Sequence, residues 1–262
     1  EPGAAEGSYF SLDLPEGNYR VTVTLGDDKR PGTTTIKSEL RRLMLENVET
    51  AAGQTLERSF IVNVRTPRIP AVNGVAAGEV KLNVPRETVT EAWAWDQRLT
   101  LEFNGARPAL RTLEIVPAQV PTLFLLGDST VSDQPGEPYN SWGQMLPRFL
   151  KPSVAVANYA QSGETYRDSL TKRRIDKILT QMKPGDTLLM QYGHNDQKQI
   201  AAGKGGPFTT YKAEIKTHVE MVRARGGLPV IVSSMERGRF DPAGKIQLAL
   251  TDYAEAAGQS AR

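Results

Sequence analysis

The 262-residue chain contains no cysteine, which excludes disulfides, a thiol nucleophile and cysteine-ligated zinc. Histidine is nearly as scarce. His194 and His218 are the two imidazoles. Charge of one sign is not in excess: 32 Lys and Arg face 30 Asp and Glu, a net charge of +2. A protein that tracks phosphates carries a strong basic excess or stripe, so nucleic acid is not an expected partner. No window approaches the ~20 consecutive apolar residues that a membrane-spanning helix requires. The chain opens on Glu1-Pro2-Gly3 without a signal-peptide pattern, as an exported protein does once its leader is removed. What remains is ordinary globular material, 39% hydrophobic and 24% charged, long enough for two domains with real cores.

The two parts differ in rhythm. Before residue 118 the apolar residues recur with period two. Tyr19, Val21, Val23 and Leu25 alternate with Arg20, Thr22 and Thr24, and Phe60/Val62/Val64, Val80/Leu82/Val84 and Leu99/Leu101/Phe103 repeat the pattern. Leu110, Leu113 and Ile115 mark another strand, with Gly, Asp and Asn turns between the runs. Short alternating strands without intervening helices predict an antiparallel β-sandwich over 1–118. Ser38 to Val48 contains helix-compatible residues and has no assigned place in this sandwich. After the linker Val116-Pro117-Ala118-Gln119-Val120-Pro121, strands near 122–126, 153–158, 186–191 and 228–234 alternate with helices near 141–150, 166–182, 208–225 and 246–261, which predicts a parallel α/β sheet over 119–262. Lys172-Arg173-Arg174 falls in one of these helices and reads as a solvated face rather than a phosphate site.

Three of the predicted strands end in polar, glycine-bearing loops. Thr122 to Leu126 stops at Gly127-Asp128-Ser129, Val154 to Ala157 leads into Asn158-Tyr159-Ala160-Gln161-Ser162-Gly163, and Thr187 to Met190 leads into Gln191-Tyr192-Gly193-His194-Asn195-Asp196. Their spacing is about one βα unit per step, so the three loops open on one edge of the sheet. A serine hydroxyl, a glycine amide and an asparagine amide on one rim outline an acyl-transfer site. Each also has a plainer reading: Ser129 as a turn or N-cap residue, Gly163 as a turn glycine, Asn195 as a loop former.

These blocks resemble the first three signature blocks of the SGNH (GDSL-type) hydrolases. Thr130, Ser141-Trp142-Gly143-Gln144 and the run from Tyr192 to Lys198 resemble the rhamnogalacturonan acetylesterase branch. The resemblance covers about Pro121 to Arg262. It implies a flavodoxin-like α/β/α domain acting through Ser129 as nucleophile, with oxyanion donors at the Ser129 N–H, Gly163 N–H and Asn195 amide, and needing no cofactor or metal. It implies removal of acetyl groups from an acetylated plant cell-wall polysaccharide, in a bacterial secreted or periplasmic setting. Asp128 and Asp196 are expected as loop organisers accepting backbone N–H groups, and His194 as a pocket residue touching sugar or leaving group. Trp142 walls the site or anchors its helix. His218 lies on the stripe Tyr211, Ile215, His218, Val222 and is expected to pack inward.

A fourth family element, an Asp-x-x-His pair supplying the general base, is not found in these 262 residues, since Gln191 and Ile215 stand three before the two histidines. The expectation is a polypeptide whose α/β domain continues beyond Arg262 into a fifth strand. A carbohydrate-binding protein that lost its base, and a lipase- or thioesterase-like enzyme, are the rival readings. The sandwich resembles galactose-binding-like accessory modules. Tyr9, Trp93 and Trp95 are candidate sugar platforms, with burial in its core the expected alternative.

Overall fold

The computed structural model describes residues 7–72, 74–198, 203 and 205–261. The chain forms two compact units. One comprises Glu1–Pro67, Leu82–Thr122 and Asp133–Ala157; the other comprises Arg68–Lys81, Leu123–Ser132 and Asn158–Arg262.

The first unit holds β1 (Ser8–Asp13), β2 (Gly17–Leu25), β3 (Gly32–Ser38), β4 (Arg42–Thr50) and β5 (Leu56–Val64). The short β6 (Arg68–Ile69) and β7 (Gly78–Glu79) belong to the second unit, and β8 (Arg98–Arg107) and β9 (Leu110–Pro117) return to the first. Two antiparallel sheets result, in the orders β1–β8–β3–β4 and β5–β2–β9. The period-two rhythm sets the core, because alternate residues share a face. Val21, Val23, Phe60 and Val62 of one sheet cluster with Ile36, Met44, Leu99 and Leu101 of the other, and each such side chain contributes about 1.5–3 kcal/mol on burial. Ser38 to Val48 is not helical. Glu39 (φ 53°) and Arg41 (φ 59°) reverse the chain so that Ser38 pairs with Arg42 and β4 runs back along β3. Val80 to Val84 forms no continuous strand either, since Asn83 spends its N–H and carbonyl on Glu87. Of the three candidate aromatics only Trp95 is buried; Tyr9 and Trp93 lie on the surface.

In the second unit β10 (Thr122–Gly127), β12 (Thr187–Gln191) and β13 (Leu228–Ile231) run parallel, with Leu125 opposite Leu189 and Thr187 opposite Leu228. Phe124, Leu125, Leu126, Leu188 and Met190 are buried, as strands covered on both faces require. The other edge of β10 is taken by the chain leaving β11 (Ala155–Asn158): Tyr159 N–H donates to the Leu125 carbonyl (2.8 Å) and Gln161 N–H to that of Gly127 (2.9 Å). Successive connections from β10 and from β11 thus land on opposite sides of β10. Its carboxyl end is a switch point of the sheet, the place where open α/β folds leave a crevice.

Helices follow the strands. Trp142–Met145 (α1) and a 3-10 turn at Leu146–Phe149 lie in the first unit. Tyr166–Thr171 (α2), Arg174–Gln181 (α3), Lys212–Arg223 (α4) and Thr251–Ser260 (α5) lie in the second. The helix expected over 166–182 is broken by Arg173, which adopts φ 63°. The basic cluster there is not a solvated face. Arg174 is fully buried, and both it and Lys172 bond Glu164. Among the described residues no helix is long and apolar enough to cross a membrane.

Candidate active site

Gly127 closes β10 because nothing larger fits: a Cβ there would meet the Gln191 carbonyl oxygen and Val131 Cγ2, each at 2.5 Å. The chain then turns. Val131 and Ser132 donate their N–H groups to the Asp128 carbonyl (3.0 Å each), while the Asp128 carboxylate accepts the Thr130 N–H (3.0 Å) and hydroxyl (2.9 Å). Thr130 Oγ1 also reaches Gln191 Oε1 at 2.9 Å. Ser129 sits at the crest of this turn and is exposed, whereas Asp128 beneath it is fully buried. Strand end, glycine and carboxylate together lift one hydroxyl to solvent.

The turn after β11 lies against this one. Ser162 Oγ is 3.0 Å from Ser132 Oγ, and the Asn158 side chain donates to the Val131 carbonyl at 2.7 Å. Gly163 is exposed with φ 86° and open space where a Cβ would project. Backbone conformation, not crowding, is therefore what calls for glycine here. Glu164 points inward, gripped bidentately by Arg174 at 2.6 and 2.8 Å.

The third turn, after β12, joins the second through Asn195, whose Nδ2 donates to the Glu164 carbonyl (3.1 Å) while its Oδ1 accepts from Lys198 Nζ (2.8 Å). One of the two Nδ2 hydrogens is thereby placed and the amide cannot flip. Asp196 accepts the Tyr166 N–H (3.2 Å) and the Gly193 N–H (3.0 Å). Burial pushes its carboxyl up to about 7, against the lowering effect of these two donors. Gly193 packs with its Cα against Ser234, whose Oγ a Cβ would strike. The His194 carbonyl is held by Arg237 Nη2 at 2.7 Å, and His194 Nδ1 stands 3.5 Å from Asp128 Oδ2.

His218 is remote in role. It is fully buried in α4, Nε2 bonded to Ser169 Oγ (2.9 Å) and Nδ1 to the Glu214 carbonyl (2.7 Å), and burial lowers its pKa to about 4. Trp142 belongs to the first unit, where Ser141 caps its short helix by accepting the Gln144 N–H. Ser129, Gly163 and Asn195 therefore stand on three turns tied by direct hydrogen bonds. The ties themselves, Gln191, Glu164 and Lys198, had no signal in the sequence beyond lying inside or beside the loop motifs.

An α/β unit with a serine raised at its switch point, flanked by a glycine turn and a fixed asparagine amide, defines the hydrolase class. Residues 125–262 match the GDSL-like lipase/acylhydrolase family, and the chain belongs to it. It is 37% identical over 142 residues to rhamnogalacturonan acetylesterase RhgT of Bacillus subtilis (strain 168), covering 53% of this chain and 59% of that protein. It is 28% identical over 243 residues to the uncharacterized esterase YxiM of the same organism, covering 90% of this chain and 54% of the relative. The chain thus spans little more than half the length of these relatives. Among solved structures, the crystal structure of protein YXIM from Bacillus subtilis aligns with 97% of this chain and 64% of its own at a TM-score of 0.48 and 23% identity.

Proposed function

We propose that the protein is a serine acetylesterase that removes O-acetyl groups from a pectic polysaccharide such as rhamnogalacturonan. The observation that carries this reading is the exposed Ser129 on a turn bonded to the Gly163 turn, which is bonded in its own right to Asn195. Identity to an enzyme named for that substrate supports the choice of ester. Ser129 Oγ attacks the acetyl carbonyl, and its proton passes to an imidazole. The Ser129 and Gly163 N–H groups and the unplaced Nδ2 hydrogen of Asn195 hold the oxyanion. The sugar hydroxyl leaves with the proton, and water then releases acetate from the acyl-enzyme. His218 does not supply the imidazole, because both its ring nitrogens are committed inside the helix layer. The family resemblance assigns that role to an Asp-x-x-His element, which these 262 residues do not contain.

Within this reading, residues 119–262 belong to the hydrolase domain and residues 1–118 to a galactose-binding-like accessory domain. The location is outside the cytoplasm, where the polymer is. Ser129→Ala in the whole polypeptide should abolish acetate release from acetylated rhamnogalacturonan while leaving the melting temperature within about 1–2 °C, since an exposed hydroxyl contributes little to stability. Appreciable residual turnover would remove Ser129 from the chemistry. Faster turnover of long-chain than of acetyl esters would move the protein to the lipase-like reading.

A further inference from the structure

The edge strand β1 carries a feature that acetyl transfer does not use. Tyr9 is 54% exposed and Trp93 46%, and their rings meet edge to face, centroids 5.6 Å apart with planes at 69°. Side chains of this size normally go inside. Trp95, two residues on, does so: its Nε1 donates to buried Glu87 at 3.0 Å and the Arg65 guanidinium lies 4.7 Å over its ring. With Trp95 locked inward, the turn Ala92–Ala94 presents Trp93 outward from a fixed base. Tyr9 is fixed by β1, which pairs with β8 along all six of its residues. Neither ring is on a free loop.

The residue opposite Tyr9 on β8 is Glu102. Leu99, Leu101 and Phe103 of β8 fill the core, so the alternate residues of β8 and their partners on β1 face away from it. On that outward face Tyr9 is followed by Ser11, whose hydroxyl is 2.9 Å from that of Thr100, and by Asp13, which accepts from Arg98 Nε at 2.8 Å. An aromatic ledge thus continues for ~13 Å of strand into the exposed Ser11 hydroxyl, with Thr100 buried beneath it, and a charged pair. That sequence of surfaces fits a pyranose chain, which sets its apolar C–H face on a ring and its hydroxyls against such a rim. A protein anchor asks instead for a fully desolvated pocket, and an anionic membrane surface asks for unopposed basic residues.

We propose that Tyr9 and Trp93 form a stacking platform for the sugar rings of a glycan chain, a binding site built without any residue of the three catalytic turns. The choice of a pectic glycan as ligand rests on the function proposed above. The test is isothermal titration and affinity electrophoresis of the full polypeptide with de-acetylated rhamnogalacturonan, comparing wild type with Trp93→Ala, Tyr9→Ala and the double variant, alongside turnover of aryl acetate. Each single variant should weaken polysaccharide binding about tenfold and the double variant more, while kcat on aryl acetate stays unchanged. The milder Trp93→Phe should retain most binding, which separates stacking from misfolding. Equal binding by wild type and double variant, or no binding of the glycan by wild type, overturns the platform even if acetate release is confirmed. Binding that depends on these rings in a protein that releases no acetate from the polymer keeps the platform and sinks the esterase reading. A wild-type dimer that dissociates in Trp93→Ala would assign the ledge to a second copy and overturn the proposal.

Discussion

His194 Nδ1 and Asp128 Oδ2 face each other at 3.5 Å, both buried, and neither atom has a hydrogen-bond partner among the described residues. Asp128 precedes Ser129 and His194 precedes Asn195, so this one approach spans the turns bearing the proposed nucleophile and amide donor. The other oxygen of the same carboxylate already braces Thr130. Asp128→Ala should cost about 1–3 kcal/mol, the usual penalty for leaving buried donors unmatched, and should lower kcat with it. Asp128→Asn, which keeps an acceptor for Thr130, should recover most of the stability. Urea denaturation and aryl acetate kinetics measured together decide the matter, and a wild-type-like Asp128→Ala in both would show the carboxylate to be idle.

Asn195 tests the amide. With its side chain pinned between the Glu164 carbonyl and Lys198 Nζ, Asn195→Ala should lower kcat by ~10²–10³, roughly 2.7–4 kcal/mol, with KM little changed. A drop in melting temperature with kcat intact would mean that the residue only ties loops.

The buried Glu164–Arg174 pair should matter more to stability than any surface ion pair. Arg174→Met takes from the buried Glu164 carboxylate its bidentate partner, which costs about 3–5 kcal/mol when one partner of a buried pair is removed. Because the Glu164 backbone carbonyl positions Asn195, turnover should fall as well. The double variant Glu164→Gln/Arg174→Met should melt higher than Arg174→Met alone; additive losses would show that the two residues act independently.

Stability should depend on pH through Glu39. Burial pushes its carboxyl up to about 8, while the nearby Arg42 charge and the Thr100 N–H pull it down. Unfolded, the group ionises near 4.5, so between that pH and about 8 the folded protein holds a proton that the unfolded chain has released. Stability therefore falls as pH rises through this window. Glu39→Gln keeps an oxygen for the Thr100 N–H and should flatten this decline. Asp196 acts in the same direction up to about 7 and His218, lowered to about 4, in the opposite one, so the informative quantity is the difference between wild type and variant at pH 5 and pH 8. An identical pH slope in both would show Glu39 to be ionised in the fold.

Legibility in the sequence followed contrast. β2 could be read because buried and half-buried positions alternate. β5 and β8 could be read because Phe60/Val62/Val64 and Leu99/Leu101/Phe103 recur with period two, although Ile61, Asn63 and Thr100 between them are buried as well. β10 and β12 could be read because apolar runs stop at glycine or a polar loop. β1 could not, since all six residues of this edge strand are exposed and its apolar side amounts to Phe10 and Leu12 alone. The reversal at Glu39 and Arg41 was hidden because left-handed backbone there is imposed on non-glycine residues by strand pairing. Burial of Arg174 was misread because a guanidinium looks solvated until its carboxylate is located, ten residues back in a separate turn. The turns that carry Ser129, Gly163 and Asn195 were legible since each follows the end of a strand. Their cross-links were not, because Thr130 meets Gln191 and Asn195 meets Glu164 only after the strands are laid side by side.

The interleaving of the two units sets an order on synthesis. The first unit needs Asp133–Ala157, which leaves the ribosome only after Arg68–Lys81 and Leu123–Ser132 have been made for the second. A nascent chain ending at residue 118, complete in the strands of both antiparallel sheets, is thus still short of a stretch that belongs to their unit. No single backbone cut releases either unit whole. Contacts between stretches so far apart carry a loop-closure cost before they return any burial, so assembly of this chain should proceed late and cooperatively rather than one half at a time.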